Sequence, residues 1–392
     1  MPRRALLAWE SGGGRGHIVN LKSAAQALRG RFVFDAAICQ RQFASELAPL
    51  CERIIGGPRL MDAPEQRARR KHGPPSWAEY LGDFGFDLPP LISRHVKWWQ
   101  DRLGEAKYDL VVAEYAPCAI MAARSLGIRC VAIGQGFGLP PSDMPRYPVI
   151  FPDFTDFLYE ESELVDRVNE AVVPLGVPQL AALPQIYACD DQLANTIALL
   201  DPYENWRTRP YLPLPMRAIP DASGGDEVFV YFSTAYALND RIIAALCRSG
   251  LPLRTYMPGA SEEQKAKLAA ADAMVESGPV PEPDIRRRSR MIVNVAQHGS
   301  ILFGLQSGLP QVVLPMHVEQ LSNARRAAAT GAIRVVERNR RSDEDFITSL
   351  LRESYENASL GESARQVAST FQQADGGDLE AHLEARILAV VE

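Results

Sequence analysis

Two hydrophobic patterns alternate along this chain. Short apolar runs occur at Ala5–Trp9, Phe32–Ile38, Asp109–Ala113 and Cys130–Ile133. Between them, at Ile18–Leu28, Phe43–Leu50, Leu91–Leu103 and Pro117–Leu126, apolar residues recur every three or four positions. The first pattern predicts strands buried on both faces and the second predicts helices with one buried stripe. Their alternation predicts an α/β fold, a parallel sheet covered by helices. The pattern lapses from Gly56 to Pro90, where prolines, glycines and a basic cluster intervene. It lapses again between Asp201 and Asp226, in a polar stretch rich in proline that predicts a linker. It then restarts with strands at Glu227–Phe232, Leu253–Tyr256, Met291–Val295 and Gln311–Leu314 and helices at Asp240–Arg248 and Glu262–Ala270. The C-terminal stretch Asp343–Glu392 reads as helical, broken near Gly376-Gly377. The expected organisation is a first α/β domain over 1–205, a linker over 206–225, a second α/β domain over 226–375 and a closing helix over 376–392.

The segment Met291–Ala332 carries the densest chemistry. It reads as strand, polar glycine loop, helix, strand, polar loop, helix. Gln297-His298-Gly299-Ser300 opens the first of these helices. A helix N-terminus offers unpaired N–H groups and a positive dipole end, which suit phosphate oxygens. Beyond the carboxyl end of the next strand lie Glu319 and Gln320, a carboxylate and an amide able to hydrogen-bond a polyol. In an open α/β sheet that edge is where ligands bind. A second polar loop, Glu10–His17, contains the run Gly12-Gly13-Gly14-Arg15-Gly16-His17. Its spacing does not match the dinucleotide fingerprint, which disfavours nicotinamide chemistry.

These pieces resemble the GT-B glycosyltransferases, in particular the bacterial macrolide and plant UDP-sugar type. The family's donor segment runs His-Gly-Gly-x-Gly-Thr, then Gly-Val-Pro, then Pro-x-x-x-Asp-Gln-x-x-Asn-Ala. Matching here are Gly299-Ser300, Gly308-Leu309-Pro310, and Pro315 through Glu319-Gln320 to Asn323-Ala324. Counted back from Gly308 without gaps, the family's loop histidine falls on Val295 and its helix glutamate on Phe303, while His298 lies in the same loop. Gly16-His17 resembles the Gly-His that ends the family's first loop. Asp109-Leu110-Val111-Val112-Ala113-Glu114 resembles its Asp-Leu-Val-Val-x-Asp, with glutamate in place of the final aspartate. Ser233-Thr234 match its Gly-Ser position.

The resemblance implies two Rossmann-like domains facing across a cleft, with the last helix returning to the first domain. It implies an inverting sugar transfer from a UDP- or dTDP-sugar to a hydroxyl-bearing small-molecule or lipid acceptor, with the nucleotide sugar as co-substrate and no cofactor. His17 would be the general base and Glu114 the carboxylate that orients it. Ser233, Thr234, His298, Gly299, Ser300, Glu319, Gln320 and Asn323 would bind the donor. Trp77, Phe84 and Phe137 would line the acceptor pocket, since aromatic faces stack on sugar rings and planar aglycones. No Asp-x-Asp pair is placed to hold a divalent ion, so a metal-independent reaction is expected. The departures at Val295 and Phe303 motivate an alternative, a catalytically silent GT-B relative that binds a ligand or a partner enzyme.

Bulk properties agree with this outline. The chain has 392 residues, 46% of them hydrophobic and 23% charged, enough for two cores. A formal net charge of −6 speaks against a nucleic-acid partner. The six cysteines are scattered without metal-ligand spacing, as free thiols in a reducing compartment would be. No apolar run approaches the ~18 residues of a membrane span. Met1-Pro2-Arg3-Arg4 leads into a strand-like ALLAWE rather than a signal peptide. A cytoplasmic protein is expected, compatible with a homodimer.

Overall fold

A computed structural model describes residues 3–60, 70–214, 224–232, 239–373 and 377–392. The chain divides into two compact units, one of Met1–Leu214 with Gly377–Glu392, the other of Pro215–Gly376.

The first unit is built on six parallel strands: β1 (Arg3–Trp9), β2 (Phe32–Ile38), β3 (Cys51–Gly56), β4 (Leu110–Glu114), β5 (Arg129–Gly134) and β6 (Asp191–Ala194). Their order is β3-β2-β1-β4-β5-β6. β4 is buried along its whole length and β1 along all but its first two residues, as expected for central strands covered on both faces. The helices Arg15–Ala27, Pro89–Gly104, Pro117–Ser125 and Glu161–Val172 connect and cover them.

The second unit repeats the plan with β7 (Glu227–Tyr231), β8 (Leu253–Tyr256), β9 (Met274–Val275), β10 (Ser289–Asn294), β11 (Gln311–Val313) and β12 (Ile333–Val335). Their order is β12-β11-β10-β7-β8-β9, again all parallel. Its core gathers Val228, Val230, Ile243, Leu246, Met291, Val293, Val312 and Leu351. Each unit is therefore Rossmann-like. Strand order reverses at β1/β4 in the first and at β7/β10 in the second, the positions where doubly wound sheets open a crevice for ligands.

The strands that hydrophobic pattern did not reveal are mostly at the edges. β3 reads Cys-Glu-Arg-Ile-Ile-Gly and has no buried residue; β6, β9 and β12 span four, two and three residues. Short edge strands carry polar residues, even where they are buried as β6 is, so they lack the continuous apolar run of a central strand.

Residues 206–214, expected in the linker, attach to the first unit. Leu212 is buried and its N–H donates to Ala194 O at 2.9 Å. Residues 215–223 lie outside the described residues. The closing helix Leu379–Val391 is capped by the Asp378 carboxylate, which accepts from Glu380 N and Ala381 N. It packs on the helix Arg15–Ala27 and on β5 and β6. Arg386 fixes it there with two bonds to the buried Asp191 carboxylate, at 2.9 and 2.7 Å. Planar, paired contacts of this kind set orientation as well as strength. Among the described residues no helix is long and apolar enough to cross a membrane. All six cysteines are free thiols; Cys118 and Cys130 are buried and the other four half-buried.

Candidate active site

In the first unit the expected catalytic pair meets at the switch point. β1 and β4 are neighbours in register, with Trp9 opposite Glu114. After Trp9 the chain turns through Gly12 and Gly14, both with positive φ, and enters the helix Arg15–Ala27 with His17 in its first turn. His17 Nδ1 and Glu114 Oε2 are 2.7 Å apart. The Glu114 side chain is 3% exposed and that of His17 is 18% exposed. A carboxylate has no proton to give, so Nδ1 carries the N–H and Nε2 is the basic nitrogen. The longer glutamate is accommodated without loss of that hydrogen bond.

Two aromatic rings stack on the His17 imidazole. Trp9 stacks at 5.2 Å between ring centroids and Tyr115 at 5.5 Å. Tyr115 adopts a left-handed backbone with φ 50°, an uncommon conformation for a bulky residue, and this turn directly follows Glu114. Gly12 leaves the remaining space: a Cβ there would come within 2.4 Å of His17 Nε2. Its φ of +83° makes a side chain unfavourable on conformational grounds as well.

The aromatic residues expected to line an acceptor pocket belong to one cluster behind this site. Trp77, Phe84 and Phe137 are 0%, 6% and 4% exposed. Trp77 meets Phe137 edge-on at 5.3 Å and Tyr115 at 5.6 Å. With so little of their faces exposed, they back the His17 ring through Tyr115.

In the second unit the strand β10 ends at Asn294 and the chain turns through Ala296, whose φ is 61°. The helix His298–Gln306 starts there, with Gln297 at its N-cap making no side-chain cap bond. Gly299 is exposed, Ser300 is half-buried and His298 is buried. A Cβ on Gly299 would meet nothing within 4 Å, so the space beside this first turn is open. Val295 and Phe303, at the family's histidine and glutamate positions, are both buried in apolar clusters. Val295 lies in the main core of the unit, and Phe303 packs with Phe229, Ile285, Ile292 and Leu309.

Glu319 stands half-buried in the first turn of the helix Val318–Ala328. Gln320 and Asn323 are 2% and 1% exposed. The Gln320 Oε1 accepts from Met316 N at 2.7 Å, and the Asn323 Nδ2 donates to Ala296 O at 3.2 Å. Both therefore brace the loops on which the expected donor residues sit. Ser233 and Thr234 lie outside the described residues.

Several functional-looking residues escaped the sequence reading. Asn20 Nδ2 donates to the other Glu114 oxygen, Oε1, at 3.2 Å, and Asn195 Nδ2 donates to Asn20 Oδ1 at 2.9 Å. In the second unit Asn294 Nδ2 donates to Gln311 Oε1 at 2.8 Å, and Gln311 Nε2 donates to Ile301 O at 3.0 Å. This pins β10, β11 and the helix His298–Gln306 together. Gly304 makes room for it, since a Cβ there would sit 2.4 Å from the Gln311 side chain. A polar amide within an apolar run was the available signal, because a buried amide must find partners.

Glu10, His95 and Cys118 form a further buried group, with metal-ligand-type atoms within 4.8 Å of one another. Its carboxylate already accepts from Trp99 Nε1 at 2.5 Å and Cys118 N at 2.8 Å. Burial and the adjacent Glu10 push the Cys118 thiol well above its ordinary pKa, which keeps it protonated. The group is an internal carboxylate ringed by donors.

No family model matches the chain, and no curated protein matches it. Solved structures do. Over 98% of this chain and 99% of the other, it superposes on the spinosyn rhamnosyltransferase SpnG complexed with spinosyn aglycone, with a TM-score of 0.66 and 17% identity. The glycosyltransferase VinC in complex with dTDP gives a TM-score of 0.64 at 16% identity, covering 99% of each chain. Phytolacca americana UGT2, complexed with UDP-2fluoro-glucose and pterostilbene, gives 0.62 at 14% identity, again over 99% of each. At such identities the likeness speaks for architecture, and it covers nearly the whole chain. The chain has the GT-B fold, two Rossmann-like domains in one polypeptide.

Proposed function

We propose that this protein is an inverting glycosyltransferase that moves a sugar from a nucleoside-diphosphate donor to a hydroxyl of a small-molecule or lipid acceptor. The observation that carries the reading is the His17–Glu114 pair at the switch point of the first sheet, 2.7 Å apart, with two aromatic rings stacked on the imidazole. A neutral imidazole oriented by a carboxylate is the natural base near neutral pH. His17 Nε2 takes the acceptor proton. The acceptor oxygen attacks the anomeric carbon, and the bond to the diphosphate oxygen breaks with its electron pair leaving on the diphosphate. Attack opposite the leaving group inverts the anomeric centre. Glu114 keeps the proton on Nδ1 and stabilises the imidazolium that forms.

The donor is assigned to the second unit. The first-turn N–H groups at Gly299 and Ser300, together with His298, would carry the charge that develops on the diphosphate. Glu319, half-buried in the first turn of its helix, would accept hydrogen bonds from sugar hydroxyls. The complexes of VinC with dTDP and of UGT2 with a UDP-sugar support a UDP- or dTDP-linked donor. In this reading no step needs a divalent ion, and the free thiols fit a cytoplasmic setting.

The test is a screen of UDP- and dTDP-sugars for slow hydrolysis, which requires no knowledge of the acceptor, run with and without EDTA. Turnover of at least one donor, unchanged by EDTA, is expected. If no donor is hydrolysed and calorimetry detects no binding of UDP or dTDP, the proposal fails.

A further inference from the structure

We infer that Asn20, anchored by Asn195, is a positioning residue that fixes the Glu114 carboxylate and through it the tautomer of His17. The inference rests on the proposed sugar transfer only for the use made of that tautomer.

A glutamate has one more rotatable bond than an aspartate. A carboxylate held only by its bond to His17 would be free to rotate and exchange its oxygens. Here the second oxygen is also claimed. Asn20 Nδ2 donates to Oε1 at 3.2 Å while His17 Nδ1 holds Oε2 at 2.7 Å. Asn20 is 3% exposed and Glu114 2% exposed, so water competes little for either bond.

The direction of the amide follows from its partners. A carboxylate only accepts, so the Asn20 NH2 must face it and its carbonyl must face away. That carbonyl accepts from Asn195 Nδ2 at 2.9 Å. Asn195 is held in turn by its backbone N–H, which donates to Gly134 O at 2.8 Å, at the carboxyl ends of β5 and β6. A chain of directed hydrogen bonds thus runs from the sheet through Asn195, Asn20 and Glu114 to the imidazole. Every link has one sense, and the last one leaves Nε2 as the acceptor nitrogen. Both amides are neutral, so the relay sets geometry without adding charge beside the base.

Three variants and two readouts test this. In wild-type protein with ¹⁵N-labelled histidine, the His17 ring is expected to carry its proton on Nδ1; the chain has six histidines, and His17→Gln identifies the resonance. Asn20→Leu removes the donor, and Asn20→Asp replaces it with an acceptor. Both are expected to populate the Nε2–H tautomer. They are expected to lower kcat by about 10- to 100-fold with donor KM within about twofold, a milder loss than the ~10⁴ seen when a triad's orienting carboxylate is replaced. Asn195→Ala should move both readouts the same way by less, and it carries the test if the Asn20 variants do not fold. A folded Asn20→Leu or Asn195→Ala protein with the wild-type tautomer overturns the inference. A shifted tautomer in a protein whose wild type transfers no sugar leaves the positioning role standing and removes the sugar-transfer reading instead.

Discussion

The two units share strand order and switch-point geometry yet organise their polar groups differently. At the first, side chains face side chains: His17 meets Glu114, Glu114 meets Asn20, and Asn20 meets Asn195. At the second, side chains mostly hold backbone: Gln320 binds Met316 N, Asn323 binds Ala296 O, and Gln311, itself held by Asn294, binds Ile301 O. A proton transfer needs one atom with a defined protonation state, and a network of side chains supplies it. Binding a diphosphate needs several N–H groups held in fixed directions, and a braced loop at a helix start supplies those. In the proposed reading, one fold thus offers two kinds of preorganisation, one for chemistry and one for charge.

Four substitutions would break or sharpen that contrast. The largest effect is expected from His17→Ala, which should lower turnover by ~10²–10⁴ while donor binding stays within a few-fold, as for loss of a general base. Unchanged turnover would remove His17 from the mechanism. Gly12→Ala comes next. Its methyl group would press on Nε2 in a backbone conformation that resists a side chain. A displacement of about 1 Å at a reacting group costs ~10²-fold, so steady-state rates should fall by that order with nucleotide affinity intact. Equal activity of the variant would mean that Nε2 does not face the acceptor.

Gln320→Ala probes the second unit. Donor-sugar KM is expected to rise about tenfold and nucleoside diphosphate Kd about threefold, the separation expected when a group contacts substrate as well as bracing its loop. Equal rises in both would assign Gln320 to the Met316 brace alone.

Glu161→Gln gives the smallest effect and addresses stability. Burial pushes the Glu161 carboxyl up to about 7 from an ordinary 4.5, although both its oxygens accept from Tyr147 N. The folded state therefore binds this proton more tightly than the unfolded chain. Its stabilising contribution is complete below pH 4.5 and is lost as pH rises through 7. The group is only half-buried, so the gain from removing the charge is held to about 1 kcal/mol. Melting curves should coincide at acidic pH, and at pH 8 the variant should melt higher by about 2–4 °C. Coincident curves at both pH values would place Glu161 in free contact with solvent.

Much of this was legible in the chain itself. The apolar runs that became β1, β2, β4, β5, β7, β8, β10 and β11 stand out because central parallel strands are buried on both faces. His17 and Glu114 could be picked out only because Gly16-His17 and Asp109–Glu114 resemble two segments of the GT-B family. The edge strands could not, since β3, with its charged Glu52 and Arg53, has no apolar signature. Asn20 interrupts the apolar run Ile18-Val19-Asn20-Leu21, but nothing along the chain names its partners.

What the sequence by itself determined is the class of fold and the places where polar groups leave the sheets, because hydrophobic periodicity and strand-end position are local properties. Only the tertiary structure decided which of those groups meet. It joined His17 to Glu114 across 97 positions and Asn20 to Asn195 across 175, and it turned Gln320 and Asn323 onto the backbone. Hydrogen bonds between distant residues depend on strand order and register. Those are settled by the packing of the whole sheet, and no window along the chain contains them.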